Sequence, residues 1–149
     1  METLRQLMRN RALLTFMLGH FTVDLYAGVL PVLYPLMALE FSLTKEAVGI
    51  VALAFTATSS LVQPLFGYLA DRFGSRVLAP ASVAWAALMV AVAGLAPTLG
   101  FLMLAASLAG LGSGAYHPLG AASASAVTGD LQKNTAMSIY TVGGSVGYA

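Results

Sequence analysis

Long apolar segments alternate with short polar ones along this chain. Segment 12–39 carries a single charged residue, Asp24, while segments 47–70 and 77–129 carry none. As one helix, 77–129 would extend ~80 Å at ~1.5 Å per residue, well beyond the ~30 Å hydrocarbon core of a bilayer. It must fold back on itself, and Ala96-Pro97-Thr98-Leu99-Gly100 supplies the Pro and Gly that interrupt the pattern. The pattern predicts an all-α membrane protein with four transmembrane helices plus part of a fifth. The spans run about 12–39, 47–70, 77–96 and 99–127, with an incomplete one at 135–149. The ~15 residues of the last are fewer than the ~20 needed to cross a bilayer. The chain is therefore expected to end inside a helix, as an N-terminal fragment does.

Composition agrees with that pattern. Of 149 residues, 58% are hydrophobic and 9% charged, against ~45–50% apolar and ~25% charged in ordinary soluble domains. A net charge of +1 with no clustered basic face gives no basis for nucleic-acid binding. The absence of cysteine excludes disulfides, thiolate metal sites and Cys nucleophiles. The seven Met residues are dispersed and suggest no metal site. The first apolar run is too long for a signal peptide and lacks a small-residue cleavage site, so it reads as a retained span.

The position of the basic residues sets the expected orientation. Arg5, Arg9 and Arg11 precede the first span, Arg72 and Arg76 lie between the second and third, and Lys133 precedes the fifth; only Lys45 lies on the other side. Basic residues near span ends favour the cytoplasm, which predicts a cytoplasmic N-terminus. This asymmetry also argues against a dual-topology small transporter.

The segment Gly67-Tyr68-Leu69-Ala70-Asp71-Arg72-Phe73-Gly74-Ser75-Arg76 joins two spans so tightly that they are expected to be antiparallel neighbours. Gly67 is placed to let another helix approach, and Gly74 to give the turn its backbone freedom. Asp71 and Arg72 are placed to bridge to other helix ends. Gly67, Asp71, Arg72, Gly74 and Arg76 resemble the G-x-x-x-D-R-x-G-[RK]-[RK] signature of the major facilitator superfamily, with Ser75 replacing the first basic residue. The resemblance implies the N-terminal half of that twelve-helix fold, residues 1–149 forming part of its first six-helix domain. It also implies a cytoplasmic loop that latches the two halves in the outward-facing state.

His20, Asp24, Phe41–Thr44, Ser59–Pro64, Gly110–Pro118 and Tyr140–Gly144 are similar to the fosmidomycin-resistance branch of that superfamily. Members of the branch often carry an acidic residue after His-Pro and an Arg soon after. Here Leu119 and the small run Gly120–Ala126 stand there instead, and the fourth span lacks the Arg of many drug/proton antiporters. The fold carries over from this resemblance, and the substrate does not.

The polar residues inside the spans are the candidates for chemistry. A carboxylate at the centre of a span costs ~2.5–3.5 kcal/mol on insertion scales and usually faces a bundle interior or watery cavity. Asp24 is thus the candidate carrier of a coupling proton. His20, one helical turn earlier on the same face, is its candidate partner, since an imidazole titrates near neutral pH. The bland alternative is a buried hydrogen bond that only fixes packing. His117 follows Gly110, Gly112 and Gly114 and precedes Pro118, which cannot donate to the Gly114 carbonyl; a helix bend is expected at Gly114–Pro118. His20 with Pro31 and Pro35 in the first span, and His117 with Pro118 in the fourth, stand in matching helices of the family's two three-helix repeats. Interrupted helices at matching places hold transporter sites, so His117 is expected to line the substrate cavity. Gln63, Tyr116 and Tyr26 are weaker candidates for that lining, because in-span polar and aromatic residues often serve packing alone. Trp85 reads as lipid-facing or core.

These features predict a proton-coupled secondary transporter exporting a small organic compound across a bacterial inner membrane. The proton is its coupling ion, and no cofactor or metal is expected. Its partners would be the lipid bilayer, the substrate and the C-terminal half of the transporter. Uptake of a metabolite or sugar by the same fold is the alternative within transport. A small homo-oligomeric, channel-like or non-transporting membrane protein is the alternative outside it. No nucleophile–base pair or metal cluster stands out among His20, Asp24 and His117, so an enzyme is not expected.

Overall fold

A computed structural model describes residues 2–149. The chain forms α1 (Glu2–Leu7), α2 (Arg11–Glu40), α3 (Lys45–Phe73), α4 (Leu78–Ala93) and α5 (Leu99–Ala126), a 3₁₀ turn (Asp130–Gln132), and α6 (Lys133–Tyr148). Three of these, α2, α3 and α5, are long and apolar enough to cross a membrane, and α4 is a shorter apolar helix. The starts of the long helices carry side-chain caps. The Asn10, Thr44 and Thr98 side chains accept from the backbone N–H groups of Leu13, Ala47 and Phe101, as expected where the first turn leaves donors without partners.

The centre of the bundle is α5, which buries 56% of its apolar window against 11% for α2 and 6% for α3. It packs against α3, α4 and α2, while α6 packs mainly on α2. This corrects the expected pairing across the tight 71–76 connection: α3 and α4 barely touch. A few extended residues, each reaching up to ~3.5 Å, allow a sideways step past a third helix, and α5 fills that place. Its glycines make the close approach possible. A Cβ at Gly110 or Gly114 would strike α3, at the Phe55 carbonyl and the Ser59 backbone, whereas one at Gly112 would meet Ala86 N at 2.8 Å and the Trp85 ring at 2.9 Å on α4. Residues 110 and 114 share one helix face and 112 lies on the other, so α5 is wedged between its two neighbours. Polar bonds tie the same joints: the Thr58 hydroxyl donates to Ser107 O (2.8 Å), and Trp85 Nε1 donates to Leu108 O (2.9 Å).

The wedge also revises the role expected of Gly67. The nearest atom to a Cβ at Gly67 is Pro118 Cβ, at an ordinary 3.9 Å, so no close approach depends on that glycine. Gly74 does need its freedom, with φ at 77°. Ser75, the departure from the loop signature, is hydrogen-bonded to Ser123 on α5. Large apolar side chains such as Leu18, Leu36, Leu53, Leu61 and Leu104 point outward, while alanine, glycine and serine fill the interior of α5. Such an arrangement suits a lipid-facing exterior with close helix contacts inside. Gly114→Ala is expected to destabilise the fold by about 1–3 kcal/mol through overpacking, whereas Gly67→Ala should change stability by less than ~0.5 kcal/mol. Thermal unfolding of both variants in detergent micelles checks this.

Candidate functional site

Three titratable groups meet where α2, α5 and α6 cross. His20 and Asp24 stand one turn apart on α2, with His20 Nε2 3.3 Å from Asp24 Oδ2. His117 on α5 reaches both: its Nδ1 is 3.2 Å from His20 Nε2, and its Nε2 is 3.6 Å from Asp24 Oδ1. The Asp24 side chain is 17% exposed and that of His117 28%, so the cluster is recessed yet reachable from one side. Pro118 does not interrupt α5, which continues as helix to Ala126.

The third helix sets the chemistry of the first two. His20 Nδ1 lies 2.9 Å from the Tyr140 carbonyl on α6. A carbonyl only accepts, so Nδ1 carries a proton and donates, leaving Nε2 to face Asp24 and His117. The Tyr140 ring stacks on His20 with centroids 4.2 Å apart and planes 19° apart. Its hydroxyl donates to His117 O at 3.2 Å, joining α6 to α5 beside Pro118. Gly144 makes the meeting possible, because a Cβ there would come within 2.5 Å of both Asp24 Oδ2 and His20 Nε2. Tyr140 and Gly144 entered the sequence reading only through family likeness; their direct part in the site carries no signal in composition or spacing.

Protons set the sign of the three contacts. With Asp24 ionised and both imidazoles neutral, His117 holds the only N–H available for the contacts between the three groups. Whichever contact it fills, lone pairs confront one another elsewhere. One added proton supplies a second donor. With both imidazoles neutral the three groups thus hold too few N–H donors for all of their contacts. The donor atoms of His20, Asp24 and His117 all lie within 4.8 Å of one another, close enough to hold one metal ion. The sequence offered no sign of such a grouping, because His20 and His117 are 97 residues apart and only folding joins them.

A cavity of about 320 Å³ opens on this cluster. Asp24 and Tyr34 line it from α2, Thr56, Ser59 and Ser60 from α3, Ser113 and His117 from α5, and Tyr148 from α6. Three larger hollows, of about 640, 550 and 500 Å³, have mainly apolar walls without the cluster. Of the expected lining residues, His117 is on the polar cavity and the others are not. Tyr116 donates to Phe16 O at 2.7 Å and borders the 500 Å³ hollow. Tyr26 packs against the apolar core. Gln63 is half-buried and lies off the cavity. Tyr34 and Tyr148 line it and had not been singled out; the i+10 spacing of Tyr34 from Asp24 carries no distinctive pattern.

The loop residues sit at one end of the bundle. Ser75 pairs with Ser123, Asn10 Nδ2 donates to Val127 O (2.9 Å), and Gln132 Nε2 donates to Gln6 Oε1 (3.3 Å). The basic segments before α2, after α3 and before α6 thus share that end. Arg72 donates to Tyr68 of its own helix at 2.8 Å, and Asp71 forms no ion pair among the described residues. The expected bridging to other helix ends is accordingly absent among the described residues. Lys133 pairs with Asp130 at 2.7 Å and, by that hydrogen bond, holds the Asp130 carboxyl below its ordinary pKa.

Comparison with known proteins adds to this geometry. The model of the Major Facilitator Superfamily matches residues 16–149. The fosmidomycin resistance protein of Escherichia coli K12 is 34% identical over 130 residues, which cover 87% of this chain and 32% of that protein. An uncharacterized MFS-type transporter of Bacillus subtilis is 33% identical over 132 residues, again 87% of this chain and 32% of the relative. A multidrug resistance protein of Schizosaccharomyces pombe is 31% identical over 133 residues, 87% of this chain and 25% of its own length. The chain spans about a third of the first two relatives.

The hydrogen bond to Tyr140 predicts the neutral tautomer of His20. ¹⁵N NMR of histidine-labelled protein is expected to show His20 protonated at Nδ1, and an Nε2–H signal for the neutral ring would contradict it.

Proposed function

This chain belongs to the Major Facilitator Superfamily, a family of multi-pass membrane transporters, and from that premise we propose that it forms part of a proton-coupled exporter. Asp24 carries the coupling proton, and His20 and His117 share it. The observation that carries this reading is the meeting of the three groups at 3.2–3.6 Å beside a polar cavity. A membrane-embedded carboxylate is costly unless paired or hydrated, and here its partners change from acceptor to donor with a single proton. Helices α2 and α5 would move relative to α6 as that proton comes and goes, since each supplies part of the cluster.

The half-site holds one carboxylate and no Lys or Arg. That balance supports a neutral or amphipathic substrate, held against hydroxyls and phenols and exported in exchange for protons. Asp71, Arg72 and Arg76 are exposed at the end of the bundle, where they would meet the C-terminal half of the transporter as a latch. Gly67 and Gly74 belong to the same loop. Six basic residues at that end support a cytoplasmic position for it, in a bacterial inner membrane. The role is transport rather than catalysis: the cluster lacks a nucleophile positioned beside a base.

Reconstituted full-length transporter under an imposed pH gradient tests the coupling. A neutral or amphipathic drug that the wild-type transporter moves serves as the substrate. Asp24→Asn is expected to lower gradient-driven flux at least tenfold, and an undiminished flux would refute the role of Asp24. Orientation has a separate check, because the chain has no native cysteine. In intact cells a membrane-impermeant thiol reagent should label Glu46→Cys and spare Asp130→Cys; the reverse pattern would invert the topology.

A further inference from the structure

We propose that His20, Asp24 and His117 form a binding site for one divalent transition-metal ion of the Zn²⁺ or Co²⁺ kind, its remaining coordination position open to the 320 Å³ cavity. Four features of the site support it.

The first is spacing. Ligand atoms at ~2.0–2.2 Å from a tetrahedral ion stand ~3.3–3.5 Å from one another. Taking one ligand atom from each of His20, Asp24 and His117, all three lie within 4.8 Å of one another, and the nearest approaches between the residues are 3.3 Å (His20 Nε2 to Asp24 Oδ2) and 3.2 Å (His117 Nδ1 to His20 Nε2). Side chains from two helices thus bring three ligand atoms to within about 1.5 Å of tetrahedral spacing, which side-chain rotation at His117 and Asp24 would close on an ion.

The second is orientation. A metal-bound histidine usually donates its other ring N–H to a carbonyl or carboxylate, which fixes the tautomer and aims the free nitrogen. His20 makes that bond to the Tyr140 carbonyl at 2.9 Å, and stacking on the Tyr140 ring holds its plane. The third is donor type. Two imidazoles and one carboxylate suit zinc, cobalt or nickel, whereas magnesium and calcium prefer all-oxygen cages. The fourth is the open side. Three protein ligands with one vacant position characterise sites where water or substrate completes the shell. Ser59, Ser60 and Tyr34 line the cavity on that side. Water or another oxygen donor would complete the shell from that side.

Ion and proton use the same lone pairs and exclude one another. Zn²⁺ is consequently expected to inhibit proton-driven transport, a consequence that rests on the coupling reading above; the binding itself does not.

The test is a Co²⁺ titration of the purified full-length protein in detergent micelles at neutral pH. The expected result is a visible ligand-field absorption of tetrahedral Co²⁺ that saturates at one ion per chain and is bleached by Zn²⁺. His117→Gln and His20→Gln should each abolish it, and Ser138→Ala, at an exposed position of α6 away from the cluster, should leave it unchanged, with gel filtration confirming that every variant stays monodisperse. Wild-type protein with no such absorption at saturating Co²⁺ overturns the site regardless of the variants. An absorption that persists undiminished in both histidine variants also overturns it. Protein that binds no Co²⁺ yet loses flux in Asp24→Asn refutes only the metal site. Protein that binds Co²⁺ while Asp24→Asn transports at full rate refutes only the proton reading.

Discussion

The approach of α5 to its neighbours, closer than any side chain would permit, governs this molecule. Gly110 and Gly114 lie against the α3 backbone and Gly112 against α4, so α5 occupies the space that the short 71–76 connection would otherwise close. In lipid the hydrophobic effect offers little drive for helix association, and tight van der Waals contact with interhelical hydrogen bonds takes its place. The Thr58, Trp85 and Ser75 bonds to α5 sit beside those contacts. Once α5 is wedged, His117 has one place to be, next to Asp24.

The polar cluster follows from the same tightness. Gly144 lets α6 come down on His20 and Asp24, and the Tyr140 carbonyl then sets which nitrogen of His20 carries hydrogen. No buried side-chain nitrogen or oxygen among the described residues lacks a hydrogen-bond partner. That satisfaction matters in a low-dielectric setting, where an unpaired polar group is costly. The cluster draws on three helices: His20 and Asp24 from α2, His117 from α5 and the Tyr140 carbonyl from α6.

Much of the candidate site was legible beforehand. Asp24 announces itself as the one charge in an otherwise apolar span, and His20 as its neighbour one turn away. His117 was placed on a cavity by its own helix, without any means of knowing that its ring would touch both. Tyr116 and Tyr26 illustrate the opposite case. They lie in the same helices as the site, yet a single residue's offset turns Tyr116 towards Phe16 and away from His117's cavity. Rotation about a helix axis decides such matters, and in a span apolar on all sides no hydrophobic stripe reports that rotation.

Segment lengths, the absence of charge over 77–129 and the one-sided basic residues determined by themselves that this is a multi-helix membrane chain; the likeness to the Major Facilitator Superfamily came from the Gly67–Arg76 loop. Those properties are local: each depends on the exclusion of charge from lipid or on the length needed to cross it. Which helices touch was decided only in three dimensions. The short 71–76 link pointed to α3 beside α4, and the glycines of α5 separated them instead. Likewise the three-membered cluster, the tautomer of His20 and the cavity's phenols depend on residues up to 120 positions apart. Contacts at that separation arise from backbone approach and helix rotation, and neither is encoded in the order of polar and apolar residues along one strand of chain.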